Sequence, residues 1–125
     1  MRIFKTKALA RFARQHRIND ESLVEAVHRA IRGLIDADLG GQIIKQRVAR
    51  PGEGKRGGFR MLIGLSADRA VYLFGFAKNE REDISNSELL TLREIATILL
   101  KASKAEIARA LADGTLIEVQ NGDED

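Results

Sequence analysis

The sequence predicts an α+β domain, a mainly antiparallel twisted sheet with a helical hairpin before it and helices after it. Three observations carry this. Residues 7–34 hold apolar side chains at helical spacing, residues 43–76 switch to short β-rich runs, and Ser-x-x-Glu boxes open helical stretches at Ser85 and Ser103. At 125 residues and 44% hydrophobic content, the chain suits one domain with a core of its own.

Taken in order, Arg2 to Lys5 reads as a short first strand. Residues 7–16 place Ala8, Leu9, Phe12 and Ala13 on one helical face, with Lys7, Arg11 and Arg14 elsewhere around the turn. Asn19 and Asp20 are N-cap types before a second helix, whose stripe is Leu23, Val27, Ala30, Ile31 and Leu34. The glycines of DADLGG, 36–41, are expected to end that helix. Residues 43–50 then alternate as a strand. Residues 59–66 put Phe59, Met61, Ile63 and Leu65 on one face, and 70–76 is an apolar run suited to a central strand. The tight Ala67-Asp68-Arg69 connection makes the last two a hairpin. A long helix follows from Ser85 with Leu89, Leu92, Ala96 and Leu99 inward, then a shorter one from Ser103 to about Asp113-Gly114. Thr115 to Val119 can add a final strand before an acidic tail. We divide the chain into a main body, 1–102, and a C-terminal helical extension with its tail, 103–125, within the same domain.

Composition narrows the function classes. Cysteine is absent, which excludes disulfides and thiolate metal sites. No apolar run reaches the ~20 residues of a membrane helix, and the N-terminus lacks the apolar stretch of a signal peptide. A cytoplasmic protein without membrane partners is expected. The net charge of +3 hides an asymmetry. Residues 1–60 hold 14 Lys/Arg against 6 Asp/Glu, a balance of +8, and residues 61–125 hold 7 against 12, a balance of −5. Such polarity suits a polyanionic partner.

Gly52-Glu53-Gly54-Lys55-Arg56-Gly57 spells the dinucleotide-binding fingerprint. That chemistry needs a helix opening at the glycines to support a pyrophosphate. Here a strand follows instead, so the segment reads as a hairpin loop. A phosphate-binding Walker loop fails too, because Arg56 stands where Ser or Thr is required. No cofactor and no metal are expected.

The cations of this hairpin remain to be explained. Lys45 and Arg47 share strand parity, Arg50, Lys55 and Arg56 lie in or beside the loop, and Arg60 begins the returning strand. Glu53 is the single acid between 43 and 60. Glycines let a backbone approach a phosphate, and crowded cations are relieved by an anion. Such a hairpin can also be a solvated edge that resists aggregation. Lys78 follows the last strand of the run. Glu80 reads either as a partner for one of the arginines or as a carboxylate near a helix start. Tyr72 has the parity of Phe74 and Phe76 and reads as core packing. His16 and His28 read as solvated helix residues.

Three segments together, Lys45-Gln46-Arg47-Val48-Ala49, Gly52-x-Gly54-Lys55-Arg56-Gly57-Gly58-x-Arg60 and Phe74-Gly75-Phe76-Ala77-Lys78-Asn79-Glu80, resemble the RelE/HigB-like toxins of bacterial type II toxin–antitoxin systems, in particular the phage-derived Gp49-like branch. The resemblance covers about residues 1 to 100 and includes the order of elements. It implies a RelE-like fold and a ribosome-dependent mRNA endoribonuclease that works without metal. It also implies a cognate antitoxin, a short helix-turn-helix protein encoded alongside, in a hetero-oligomeric complex. Carried over by motif position, Lys45, Arg47, Lys55 and Arg60 become the catalytic set, and Arg50, Arg56 and Lys78 bind RNA. Arg60 or Arg47 would stabilise the transition state, and Lys55 or Lys45 would move the proton. Two departures stand out. No tyrosine follows Tyr72, where several RelE-type enzymes place a base near the C-terminus, and residues 103–125 extend the pattern. That extension is expected either to dock the antitoxin or to fold over the basic face. A non-catalytic nucleic-acid-binding module and a toxin acting on DNA gyrase are the alternative readings.

Overall fold

A computed structural model describes residues 1–49 and 58–120. Strand β1 (Arg2–Thr6) leads directly into helix α1 (Lys7–Gln15), where the Thr6 hydroxyl accepts from the Leu9 amide. Asn19 caps α2 (Asp20–Ile31) in the same manner through the Ser22 amide. Each cap satisfies an otherwise orphan N–H and is worth about 1 kcal/mol. Strands β2 (Ala37–Asp38), β3 (Ile43–Val48), β4 (Phe59–Leu65) and β5 (Arg69–Ala77) follow, then α3 (Asn86–Lys101), α4 (Lys104–Asp113) and β6 (Leu116–Glu118). Both predicted capping boxes form, Ser85 with Glu88 and Ser103 with Glu106.

The strands make one sheet in the order β2-β3-β4-β5-β1-β6. Only β1 with β5 is parallel among these pairings; the rest are antiparallel. Helices cover both faces. Phe59, Met61, Ile63 and Tyr72 meet Leu9, Ala13, Leu23 and Val27 under α1 and α2. Leu62, Val71 and Leu73 meet Leu92, Ala96, Leu100 and Ile107 under α3 and α4. Alternation along β4 thus feeds two cores, each fully buried large side chain contributing roughly 1.5–3 kcal/mol. This is the predicted α+β fold, with the central β5 buried on both sides as its apolar run requires.

Three local expectations are corrected. The second helix does not run to the 36–41 glycines. It closes at Arg32, with Gly33 at φ +83° and the Leu34 amide donating to the Arg29 carbonyl at 2.9 Å. A left-handed residue just past a helix favours glycine, and Gly33 stops the helix before Gly40-Gly41 are reached. Ile31 and Leu34, expected inside, are 54% and 58% exposed, and Ala37–Asp38 becomes an edge strand on β3. Second, Tyr72 does not share a face with Phe74 and Phe76. Leu62 pairs with Phe74 while Ile63 pairs with Tyr72, so Leu73 is an extra residue that breaks the alternation. Tyr72 enters the α1–α2 core, where its hydroxyl donates to the Leu23 carbonyl at 2.5 Å and burial pushes its phenol pKa up. Third, His16 is half-buried, with its ring 4.4 Å from Phe12 and 5.0 Å from Phe59.

One close approach joins α1 to the sheet at β5. A Cβ on Gly75 would lie 2.7 Å from the Met61 sulfur and 2.9 Å from the Phe12 ring. Glycine is what lets α1 press onto this strand.

Candidate active site

The cross-strand register builds a basic row. Arg47 on β3 lies directly opposite Arg60 on β4, and Arg60 lies opposite Phe76 on β5. Lys45 is opposite Leu62, which faces the α3 layer, so Lys45, Arg47 and Arg60 all project from that face. The bulge at Leu73 turns Phe74 and Phe76 to the same side. Parity, pairing and one irregularity therefore bring three cations and two aromatic rings into one cleft.

The segment after β5 walls the cleft. Arg81 stacks 5.6 Å from the ring centroids of both Phe74 and Phe76 and pairs with Glu88 at 2.6 Å. Two residues on, Asp83 reaches across the face to Lys45 at 3.2 Å. Lys78 is exposed nearby, and its charge is felt at Asp83. The Glu88 carboxyl is depressed to about 2, first by the hydrogen bond from Arg81 and then by those from Ser85. Asp83 is held below the usual carboxylate range chiefly by the Ile84 amide, with Lys45 adding to it.

Arg47 is fixed from two directions. Asp36 accepts from its backbone amide at 2.5 Å and lies 3.6 Å from its guanidinium. Arg29, itself paired with Glu25 at 2.7 Å, donates to the Arg47 carbonyl at 2.5 Å. The fully buried Gln46 side chain anchors this corner: its oxygen accepts from the Asp36 amide, and its nitrogen donates to the Ala26 and Leu34 carbonyls. Arg60 is 9% exposed, and its pKa is lowered by burial first and by Arg47 second, with Asp36 opposing. A guanidinium titrates so high that it stays charged here, poorly hydrated and beside a second cation. Such a pair gains from an incoming anion more than solvated cations do.

Of the sequence-derived site residues, Lys45, Arg47 and Arg60 converge and Lys78 stands at the rim. Arg50, Lys55 and Arg56 lie outside the described residues. Glu80 is exposed in the turn after β5 and, among the described residues, fills neither expected role; the described acids that meet the face are Asp36, Asp83 and Glu88. Arg81 and the two phenylalanines were missed. The K-N-E-R run held a signal for Arg81, whereas Asp36 sits in a segment read as a helix end. Residues 103–120 do not cover the cleft, since β6 is at the opposite edge of the sheet from β2 and β3. Among the described residues no cluster of His, Asp or Glu suits a metal ion, and no helix is long and apolar enough to cross a membrane.

A family model described as the RelE toxin of the RelE/RelB toxin–antitoxin system matches residues 1–119, a span that includes α4 and β6. No curated protein and no solved structure matches.

Proposed function

The chain belongs to the RelE toxin family and is a toxin with a cognate antitoxin; from that premise we propose that it is an endoribonuclease that cuts messenger RNA on the ribosome at the Arg47–Arg60 cleft. The observation that carries this reading is the direct opposition of Arg47 and Arg60 on one face, with Lys45 beside them and aromatic rings at the flank.

Cleavage uses the 2′-OH of the substrate. Its oxygen attacks the adjacent phosphorus, the bond to the 5′-oxygen of the next nucleotide breaks, and a cyclic phosphate and a free 5′-OH result. One proton leaves the nucleophile and one reaches the leaving oxygen. Arg60 and Arg47 suit the non-bridging oxygens, where negative charge grows, because a planar guanidinium fork matches phosphate and Arg60 is already desolvated. Lys45 is the described lysine placed for proton transfer, with Lys55 as the other member of the expected pair. Partly exposed Phe74, with Arg81 over it, offers a stacking flank for an unstacked base, and buried Phe76 supports it from beneath. Lys78 at the rim suits phosphate contact outside the scissile step.

The test is a cleavage assay on programmed ribosomes with Arg60→Ala. One preorganised charge-stabilising donor is worth roughly 3–4 kcal/mol, so cutting should slow by about a hundredfold or more. A loss of less than about tenfold with the fold intact would remove Arg60 from the mechanism.

A further inference from the structure

The outer face of α1 carries a second basic surface, and it is unlike the cleft. Residues 1–19 contain Arg2, Lys5, Lys7, Arg11, Arg14 and Arg17 and no acidic residue. Lys7, Arg11 and Arg14 recur at helical spacing, so they form one exposed ridge, and exposed Arg17 continues it past the helix end. Among the described residues none of these four has an acidic partner. Because α1 packs on the face of the sheet opposite to Arg60, the ridge and the cleft point away from each other.

Folding does not account for the ridge as a whole. Arg14, in the last turn of α1, is favoured by the helix dipole, but Lys7 stands in the first turn, at its positive end, and the Lys7–Arg11 and Arg11–Arg14 spacings set like charges side by side. Arg17 sits at φ +55°, with the Ile18 amide donating to the Ala13 carbonyl at 2.8 Å. This is the same helix-ending geometry that α2 completes with Gly33, so an arginine occupies a position where backbone sterics favour glycine. Arg14 and Arg17 frame a depression of about 430 Å3 with an apolar floor of Ala10, Ala13 and Ile18. Lys5 and Asn19 also line it, and Lys5 is neutralised by Asp20 at 2.9 Å.

We propose that this ridge binds the phosphate backbone of folded RNA and that the depression accepts one unstacked base. Arginine-rich cations without counter-ions match phosphates. Protein partners want apolar anchors at the centre of an interface, and the exposed large apolar residues lie at Met1, at 31–35 and on α3, none of them on α1. Unstacked bases are a feature of folded RNA rather than of regular duplexes. The ridge stands whether or not the cleft cuts, because its readout is binding.

The experiment measures affinity of the full chain for a short RNA hairpin with one bulged nucleotide, for the same hairpin without the bulge, and for its DNA counterpart, across a salt series. In Lys7→Gln/Arg11→Gln/Arg14→Gln the slope of log K against log salt should shrink by about 2 to 3, since each duplex phosphate contact contributes roughly 0.9. Arg17→Gly should weaken binding of the bulged hairpin severalfold while Tm holds or rises, a combination that a structural role for Arg17 cannot produce. Unchanged slope and affinity in the triple variant would overturn the surface. Equal affinity for DNA and RNA, or for bulged and regular hairpins, would overturn the assignment to folded RNA. So would variants that keep RNA affinity and lose only the purified antitoxin, which would make the ridge a protein-docking site.

Discussion

The cleft over β3–β5 and the ridge along α1 are both basic, yet they are built in opposite ways. In the cleft Lys45, Arg47 and Arg81 each lie against a carboxylate, Asp83, Asp36 and Glu88 respectively. On the ridge the cations stand in solvent without one. A cation that is buried, as Arg60 is, or paired, as Lys45 and Arg81 are, has less freedom to reorient, which is what charge stabilisation at a reacting phosphorus demands. An unpaired, solvated cation is mobile and acts at longer range, which suits attraction of a polyanion and is screened by salt. The difference teaches that a count of basic residues says little about their work; their counter-ions say more.

The sharpest break in the comparison is a double dissociation. Arg60→Ala should slow cutting by about a hundredfold while changing the salt slope by no more than about one contact, and the triple ridge variant should do the reverse. If one variant moves both readouts equally, the two regions are a single surface. Next in size is Gly75→Ala, which pushes a methyl into Met61 and Phe12 where α1 presses on the strand of the cleft. Overpacking of this kind costs about 1–3 kcal/mol, visible as a lower Tm, and an unchanged Tm would mean that α1 can shift freely against β5.

Smaller effects separate the counter-ions from the fold. Asp83→Asn removes the carboxylate that faces Lys45. Exposed ion pairs are worth about 0–1 kcal/mol, so stability should barely change while RNA affinity rises by up to about fivefold. Weaker RNA binding would instead make Asp83 part of the binding surface. Acid titration tests Glu88. Its folded pKa, about 2, lies below the ordinary 4.5, so its contribution is present above 4.5 and is lost as pH falls toward 2. In Glu88→Gln the stability lost between those values, read from denaturant midpoints, should shrink. An identical acid profile would show that the Arg81–Glu88 pair stabilises nothing.

Much of this architecture was legible in the residues. Caps at Asn19, Ser85 and Ser103, the alternation of β4 and the apolar run of β5 are local signals, and each element formed where its signal lay. The convergence of Lys45, Arg47 and Arg60 followed from strand parity and a hairpin alone. Two backbone features in particular were not legible. The helix end at Gly33 was missed because DADLGG offered a stronger-looking stop, and the tertiary pairing of Ala37–Asp38 with β3 claimed that segment instead. The side of Phe74 and Phe76 was missed because one extra residue at Leu73 inverts the alternation downstream, and pairing with β4 decides where it falls.

What the sequence by itself determined is therefore every element but the short edge strand β2, together with the basic hairpin and the acid-free first helix. These depend on neighbours three or four positions apart, or two in a strand. What only the tertiary structure decided is orientation and partnership: Asp83 beside Lys45, Asp36 on Arg47, Arg81 over two rings, and the ridge facing away from the cleft. Those relations join residues far apart in the chain, and their geometry exists only once the sheet has set its register.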